Sequence, residues 1–320
     1  MKLETGTVEL LVRQMRWESR DVVSVRLEHS DGATVAPWTP GAHLDLHLSN
    51  GLVRQYSLCG DPADKTGYRI AVLRDPAGRG GSRHVHEVLR PGQRIPVGTP
   101  RNNFELLESP AFLFIAGGIG ITPILAMIGE AERRGADWEL HYGGRARESM
   151  AFLDELHRFG DRVHIVSEDR EGALDLPALL ATPRADTLVY TCGPEGLLAA
   201  VERLAADWPE GAVQLERFTP KARAAEADGD ADRPIRVVCG RSGVSVTAAP
   251  DTSILDALEG AGMDLPNSCR EGMCGSCETR VLRGVPDHRD SVLSSAEQSA
   301  GKTVMICVSR ARTDELVLDL

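Results

Sequence analysis

The chain has 320 residues, which is too long for one ordinary core and predicts two or three domains. Its hydrophobic fraction of 42% and charged fraction of 26% are typical of a globular protein, and no apolar run is long enough for a transmembrane helix. The net charge of −11 argues against nucleic acid and anionic membranes as partners. The first residues, MKLETGTVEL, lack the basic start and apolar stretch of a signal peptide, so we expect a cytoplasmic protein.

Residues 1–106 predict an antiparallel β-barrel. Short strands follow one another here, separated by turn residues such as Asp31-Gly32 and Asn50-Gly51, as is typical of barrels. The predicted strands are Val8–Gln14, Val22–Glu28, His43–Leu48, Val53–Leu58 and Tyr68–Val72.

Two motifs in this region could bind a phosphorylated ligand with a flat ring. In Arg54–Ser57 (RQYS), the arginine can bind phosphate through two bonds and the tyrosine can stack on a ring. In Gly78–Ser82 (GRGGS), glycines and a hydroxyl can surround a phosphate. A strand of mixed polarity and a plain loop would explain the same residues without a ligand.

Residues 107–219 predict an α/β domain with a parallel sheet, because apolar strands alternate with helices. The predicted strands are Phe112–Ala116, Trp138–Tyr142, Arg162–Ser167 and Thr187–Cys192, and the predicted helices are Thr122–Arg134, Ser149–Phe159 and Pro194–Asp207. Ligands of such sheets bind at the carboxyl ends of the strands.

Two turns stand at those strand ends. Gly117–Pro123 (GGIGITP) follows the first strand and opens a helix, so that a pyrophosphate could approach its backbone N–H groups. It is not the Rossmann fingerprint, because Pro123 stands where the last glycine would be. Cys192–Pro194 (CGP) follows the fourth strand. A bare strand-to-helix connection and a buried thiol would explain the two turns without a nucleotide.

Residues 220–233 predict a linker, since they are small or charged and cannot bury a core; an exposed alanine-rich helix is the alternative. Residues 234–320 predict a third domain. Its strands are Ile235–Cys239, Val244–Ala248, Glu278–Leu282, Val304–Val308 and Leu316–Leu318, with a helix at Ser253–Ala261.

Four of the seven cysteines form the strongest motif of the chain. Cys269, Cys274 and Cys277, with Cys307 further on, have the C-x4-C-x2-C…C spacing of plant-type [2Fe–2S] sites. Three ligands would come from one tight loop and the fourth from a distant strand. A structural zinc site is the alternative, although zinc sites usually need two C-x2-C pairs.

In this order, the motifs RQYS, GRGGS, GGIGITP, CGP and the four cysteines resemble the family of phthalate dioxygenase reductase and vanillate O-demethylase reductase. The resemblance covers nearly the whole chain. It implies a multi-domain protein with an antiparallel β-barrel flavin domain, an α/β parallel-sheet nicotinamide domain like that of ferredoxin–NADP⁺ reductases, and an α+β, β-grasp ferredoxin domain.

The resemblance also implies roles for residues of the flavin domain. Arg54 would bind the flavin phosphate, Tyr56 would lie on the isoalloxazine face and Ser57 would lie near N5. The other flavin-binding residues would be Val72, Gly80, Gly81, Ser82 and Phe218, the last as an aromatic cover of the flavin.

In the nicotinamide domain, Thr122 and Cys192 would flank the nicotinamide and act with Ser57 in hydride transfer. The nucleotide-binding residues would be Gly117, Gly118, Gly120, Thr122, Pro123, Cys192, Gly193, Pro194 and Asp169. Glu168 and Asp169 would repel a 2′-phosphate and favour NADH. Arg145 and Arg147 could instead pair with that phosphate, which keeps NADPH open.

The expected function is a reductase that passes electrons from NADH through FMN and a [2Fe–2S] cluster to a terminal Rieske-type oxygenase or demethylase. FMN is favoured over FAD because relatives with a C-terminal ferredoxin domain use FMN. A cytochrome P450 would be the second candidate partner. Two further functions stay open: a redox sensor without turnover, and a reductase of free flavin or oxygen whose ferredoxin domain is vestigial.

Overall fold

The computed structural model describes residues 6–219 and 233–320, which belong to two compact units, 1–217 and 218–320. The predicted linker lies outside the described residues except for Arg233. None of the helices in these two ranges is long and apolar enough to cross a membrane.

The first sheet of unit 1 is the predicted antiparallel barrel. Its elements are β1 (Thr7–Ser19), β2 (Val22–Glu28), β3 (Ala42–His47), β4 (Val53–Ser57), β5 (Gly67–Leu73), α1 (Gly81–Glu87), β6 (Arg94–Gly98) and β7 (Arg101–Asn102). The strands pair in the order β4-β3-β6-β1-β2-β5, β7 pairs with β3, and a bridge between Leu58 and Ile70 brings the end of β4 to β5. Alternate residues such as Leu10, Leu44 and Leu46 fill the interior, as the two-residue period of a strand requires.

The second sheet of unit 1 is parallel throughout. Its elements are β8 (Ala111–Gly117), α2 (Ile121–Arg134), β9 (Asp137–Gly144), α3 (Leu153–Leu156), β10 (Val163–Ser167), α4 (Leu176–Leu180), β11 (Thr187–Cys192), α5 (Glu195–Leu204) and β12 (Val213–Glu216). The order β10-β9-β8-β11-β12 places the first strand at the centre, and buried apolar residues cover both faces. The predicted α/β class is therefore confirmed.

One helix prediction in this sheet is wrong. The predicted helix Ser149–Phe159 is reduced to the four residues of α3, followed by a 3-10 helix at His157–Arg162. Phe152 is buried and left-handed, with φ of 63°, and this backbone cannot continue a helix towards Ser149. Burial of the phenyl ring therefore overrides the helical pattern.

Unit 2 contains a mixed five-stranded sheet with one helix against it. Its elements are β13 (Ile235–Cys239), β14 (Ser245–Ala248), α6 (Ile254–Gly260), β15 (Glu278–Arg283), β16 (Pro286–Asp287), α7 (Ser295–Ala300), β17 (Thr303–Met305), β18 (Arg310–Ala311) and β19 (Glu315–Leu318). The order is β14-β13-β19-β15-β17, with β13 and β19 parallel, in agreement with the expected β-grasp class. The predicted strand Val304–Val308 ends at Met305, so Cys307 lies in a turn and not on a strand.

The domain boundary expected between residues 106 and 107 stays a prediction, because the barrel and the parallel sheet belong to one compact unit. Tyr190 of β11 connects them: its hydroxyl donates to the Glu105 carbonyl at 2.8 Å and accepts from the Leu107 N–H at 2.8 Å.

Candidate functional site

The two motifs of the barrel that predict a phosphate site lie against each other. A Cβ added at Gly81, the first residue of α1, would come within 2.6 Å of Cγ and 2.7 Å of Nε of Arg54 on β4. Only glycine therefore lets the Arg54 side chain cross the start of α1. Gly80, just before it, has a left-handed backbone with φ of 87° and open space around its Cα. The fold thus brings a guanidinium and a glycine-rich turn together, as a phosphate site requires.

The neighbouring side chains fit this arrangement in different ways. The Ser82 hydroxyl oxygen accepts from the Asp75 N–H at 3.0 Å, which leaves its own hydrogen available to an anion. The Val72 side chain lies in the barrel core, and its carbonyl accepts from His86 Nε2 at 2.9 Å, so β5 is joined to α1. Tyr56 packs against the barrel core, and burial raises the pKa of its hydroxyl to about 12.

Three reactive side chains converge where the barrel meets the parallel sheet. Ser57 at the end of β4 donates to Glu216 Oε2 at 3.5 Å, and the Cys192 Sγ at the end of β11 lies 4.0 Å from the same oxygen. The parallel register pairs Cys192 with Glu216 on β12. Ser57 and Cys192 are buried. Carboxyl ends of neighbouring parallel strands meet at one edge, and β4 completes the group from the barrel.

Glu216 is a candidate functional residue that the sequence patterns did not indicate. Glu216 as a whole is partly exposed, but its carboxyl group is enclosed. Burial of the carboxyl group raises the pKa of Glu216 to about 8. Burial and the nearby Glu216 also raise the pKa of the Cys192 thiol. Its position beside Cys192 depends on the register between β11 and β12, which no sequence motif gives.

The two turns of the parallel sheet pack against each other. A Cβ at Gly120 would come within 2.2 Å of the Cys192 carbonyl oxygen, and one at Gly193 within 3.0 Å of the Gly117 Cα. These glycines are therefore required by protein packing alone. Gly118 differs, because its φ is 53° and nothing lies within 4 Å of the position of a Cβ, so a ligand could approach there.

The side chains that follow this turn make contacts within the protein. The Thr122 hydroxyl donates to the Ile119 carbonyl at 3.0 Å and is buried, and Pro123 is buried beside it in the first turn of α2. Pro194 precedes α5 directly.

The loop after β10 presents both sets of candidate nucleotide residues at one edge of the sheet. The Glu168 N–H donates to the Gly144 carbonyl at 2.8 Å, and the Asp169 N–H donates to the Arg145 carbonyl at 3.1 Å. Glu171 Oε2 accepts from the N–H and hydroxyl of Ser167, both at 2.8 Å, which holds the loop. Phe218, two residues beyond Glu216, exposes 41% of its surface.

In unit 2, the cysteine loop directs backbone N–H groups at its sulfurs. Those of Glu271 and Met273 lie 3.3 and 3.4 Å from Cys269 Sγ, and that of Ser276 lies 3.4 Å from Cys274 Sγ. Gly272 is left-handed with φ of 69°, and a Cβ there would come within 2.6 Å of a Val308 methyl group. Such a loop can hold thiolates, because the N–H groups stabilise negative sulfur.

The four thiols form two pairs. The Cys269 thiol lies against the Cys274 sulfur and lowers the pKa of Cys274, and the Cys307 thiol likewise lowers the pKa of Cys277. Within the part of the chain that the structure describes, no three of these sulfurs lie within 4.8 Å of one another. A single zinc with Zn–S bonds of about 2.3 Å would draw all four sulfurs to about 4 Å. Two pairs fit two irons better than one zinc.

Comparisons with known proteins also indicate an iron–sulfur cluster at these cysteines. A family model described as a 2Fe-2S iron-sulfur cluster binding domain matches residues 237–312. The chain is 44% identical over 316 residues to phenoxybenzoate dioxygenase subunit beta of Ectopseudomonas oleovorans, covering 98% of this chain and 97% of that protein.

The solved structures that resemble the chain over nearly all of its length include a dioxygenase reductase and a cytochrome P450 monooxygenase. One is phthalate dioxygenase reductase, described as a modular structure for electron transfer from pyridine nucleotides to [2Fe–2S], with a TM-score of 0.73, 37% identity and 98% coverage of both chains. The other is an intact type IV self-sufficient cytochrome P450 monooxygenase, with a TM-score of 0.91 and 40% identity. That match covers 100% of this chain and 43% of the P450 chain, so this chain spans less than half of that protein.

Proposed function

Because the chain belongs to the phthalate dioxygenase reductase family, we propose that it serves a Rieske-type terminal oxygenase and that hydride transfer takes place at Ser57, Cys192 and Glu216. The chain is an oxidoreductase of an oxygenase system, and its cofactors are NADH, FMN and a [2Fe–2S] cluster. The convergence of Ser57 and Cys192 on the Glu216 carboxyl is the observation that carries the proposed site.

FMN fits the phosphate site that Arg54 and the glycine-rich turn before α1 form in the barrel, which we call the flavin cradle. Arg54, Gly80, Gly81 and Ser82 would bind its phosphate, and Tyr56 would pack against its ring. Val72 would contribute its strand backbone, and Phe218 would cover the ring. The bound flavin supplies conversion of a two-electron hydride into single electrons for the cluster.

The proposed reaction site works through neutral side chains. The raised pKa keeps the Cys192 thiol protonated, so it can pack against a nicotinamide ring without placing a negative charge there. The Glu216 carboxyl, with its pKa of about 8, holds a proton at neutral pH beside Ser57 Oγ. Ser57 therefore has a proton-bearing partner at the atom expected to face the flavin.

NADH would bind across the two turns of the parallel sheet. Gly118 leaves open space for the pyrophosphate, while Gly117, Gly120 and Gly193 let the two turns pack closely beside it, together with Pro194. Thr122 and Pro123 would fix the start of α2 below the nicotinamide. Asp169 would meet the adenosine ribose, where its carboxylate disfavours a 2′-phosphate.

Cys269 and Cys274 would hold one iron, and Cys277 and Cys307 the other. The pairing of the sulfurs supports this assignment. Cys274→Ser should leave flavin reduction by NADH intact and abolish electron delivery to the oxygenase. Unchanged delivery by this variant would instead support a vestigial ferredoxin domain.

The partner is an oxygenase, and the Rieske type is the finer proposal. Two relatives that match this chain over almost their whole length, phenoxybenzoate dioxygenase subunit beta and phthalate dioxygenase reductase, are named for dioxygenase systems, which supports it. The P450 match keeps a haem oxygenase as the second candidate. We place the activity in the cytoplasm, where thiolates stay reduced.

One stopped-flow experiment with NADH tests the reductase, and one reconstitution tests the partner. Absorbance of the flavin and then of the cluster should bleach within one turnover; bleaching of neither would favour a redox sensor without turnover. Product formation with a Rieske oxygenase and none with a P450 supports the proposed partner, and the reverse result rejects it.

A further inference from the structure

Three potential metal ligands lie together on β9 and β10, outside the motifs discussed so far. Glu139 and His141 are two residues apart on β9 and so share one face of the sheet, and His164 on β10 is paired in register with His141. One ligand atom from each lies within 4.8 Å of the other two. We propose that these three side chains bind a divalent transition-metal ion, with Zn²⁺ as the expected ion.

The separation between Glu139 and His141 fits an ion better than a hydrogen bond. His141 Nε2 lies 3.6 Å from Glu139 Oε2, and this buried nitrogen has no hydrogen-bond partner among the described residues. Two ligands that share a tetrahedral zinc through bonds of about 2.0 Å are separated by about 3.3 Å.

The surroundings hold Glu139 in a suitable orientation. Arg184 contacts Oε1 of Glu139 and leaves Oε2 facing His141. An arginine on the distal oxygen is the kind of outer contact that orients a metal-binding carboxylate.

The two imidazole rings provide the remaining ligands. Their centroids lie 4.5 Å apart with 18° between the planes, and His164 is exposed, so its ring can turn towards an ion. Two imidazole nitrogens and one carboxylate oxygen suit zinc, copper or nickel rather than magnesium or calcium, which prefer oxygen ligands. A fourth position would remain for water.

An ion at this site would join the edge strand β10 to β9. Among the described residues, β10 pairs with β9 alone, and it ends at Ser167, just before the loop that carries Glu168 and Asp169. Metal binding to the folded state stabilises it by mass action, so zinc should raise the melting temperature of unit 1.

The test is Zn²⁺ titration of the holoprotein, with flavin and cluster bound, by calorimetry in buffer freed of metals. We expect one zinc per chain, and affinity that falls by at least about tenfold in H164A and E139Q, since each removes one of three ligands. H157A removes another exposed histidine and should bind zinc as the unchanged protein does.

An unchanged visible spectrum shows that each variant keeps its fold and both cofactors. Equal zinc affinity in H164A and the unchanged protein, or no zinc bound by the unchanged protein, would overturn the site. Copper(II) gives an independent readout: its electron paramagnetic resonance spectrum should show two nitrogen ligands in the unchanged protein and one in H164A. The same two-nitrogen signal in H164A would count equally against the site.

Discussion

Glu216 supplies the carboxyl group of the proposed reaction site, and its environment differs strongly from that of a surface carboxyl. Its pKa rises from 4.5 to about 8 because the carboxyl is enclosed. The hydrogen bond with Ser57 lowers the pKa but does not cancel the effect of burial. The protonated form therefore dominates in the folded protein at pH 7, whereas the unfolded chain is ionised there.

Replacing Glu216 by Gln should remove a pH dependence from flavin reduction. In the unchanged protein, the rate of reduction by NADH should change with an apparent pKa near 8, where the carboxyl loses its proton. In Glu216→Gln this inflection should vanish, and the rate at pH 7 should fall by about tenfold or more. Stopped-flow absorbance between pH 6 and 9 measures both effects, and an inflection that persists in the variant would assign it to another group.

The same substitution should change stability with a defined sign. The raised pKa means that the contribution of the protonated Glu216 carboxyl to folding stability is fully present below pH 4.5 and is lost as the pH rises towards about 8. Glu216→Gln has no such loss, so its melting temperature relative to that of the unchanged protein should rise across this window. Equal pH profiles of the two melting temperatures would show that Glu216 is not buried in solution.

Gly81 gives a test of the flavin cradle. A Cβ in Gly81→Ala would lie 2.6 Å from Cγ of Arg54, so the guanidinium must leave the start of α1. We expect FMN affinity to fall by about tenfold or more, because a charge-assisted phosphate contact is lost. Flavin fluorescence on dilution measures the release. Gly129→Ala is the matched control, since a Cβ there meets nothing within 4 Å. Equal FMN affinity in the two variants would show that Arg54 does not bind the FMN phosphate.

At this scale, the residues that could be predicted are those whose chemistry is local. The cysteine spacing and the RQYS and GRGGS motifs are short, so each motif was recognisable without the fold. The structure adds that Arg54 crosses Gly81, which fits the predicted cradle. Glu216 depends on the register between β11 and β12, and no short pattern reports a contact across a sheet.

Among the elements, the cysteine loop depends on α6 for its shape. Arg270 has a left-handed backbone with φ of 55°, which costs a side-chain residue about 1 kcal/mol or more. Its guanidinium donates to both carboxylate oxygens of Glu259 at 2.7 and 2.8 Å and to Asp256 at 2.9 Å, both on α6. The helix therefore holds the loop in a conformation that it would not adopt alone.

Arg270→Ala should loosen the cluster without removing a ligand. We expect the cluster to bleach severalfold faster under heat or chelator, while flavin reduction by NADH stays normal. Arg241→Ala is the matched control, since Arg241 also forms two bonds to a carboxylate, at 2.7 and 2.6 Å with Asp319. Loss of cluster absorbance at the same rate in both variants would contradict the role of Arg270.

Elements were predictable where the pattern was long and periodic. The helix Thr122–Arg134 and the strands of the parallel sheet agree with the structure to within a residue or two at most ends. α3 was overestimated because Phe152 is left-handed and buried. The five-residue α4 and the edge strand β12 are too short for periodicity to reveal.

At the scale of unit 1, the barrel and the parallel sheet are joined by polar contacts that no sequence pattern could have indicated. Arg69 on β5 donates to both carboxylate oxygens of Glu155 on α3, at 2.6 and 3.0 Å, and to the Cys59 carbonyl. Arg20 also pairs with Glu148, through one exposed contact to Oε1 at 2.6 Å. Two domains were expected, and these contacts explain why they form one compact unit.

The Arg69–Glu155 pair should set how well the proposed reaction site is assembled, because Ser57 comes from one sheet and Cys192 and Glu216 come from the other. Arg69→Ala leaves Glu155 partly buried without its partner, which should cost roughly 1–3 kcal/mol of unfolding free energy. We expect flavin reduction by NADH to slow by about tenfold, because misplacement of reacting groups by a fraction of an ångström is costly. Reduction by dithionite should not change, since it needs no nucleotide site.

Arg94→Ala breaks the exposed Arg94–Glu9 pair within the barrel and should leave both rates unchanged. If Arg69→Ala is destabilised yet reduced by NADH at the normal rate, the contact serves stability alone and the alignment of Ser57 with Glu216 must come from other contacts.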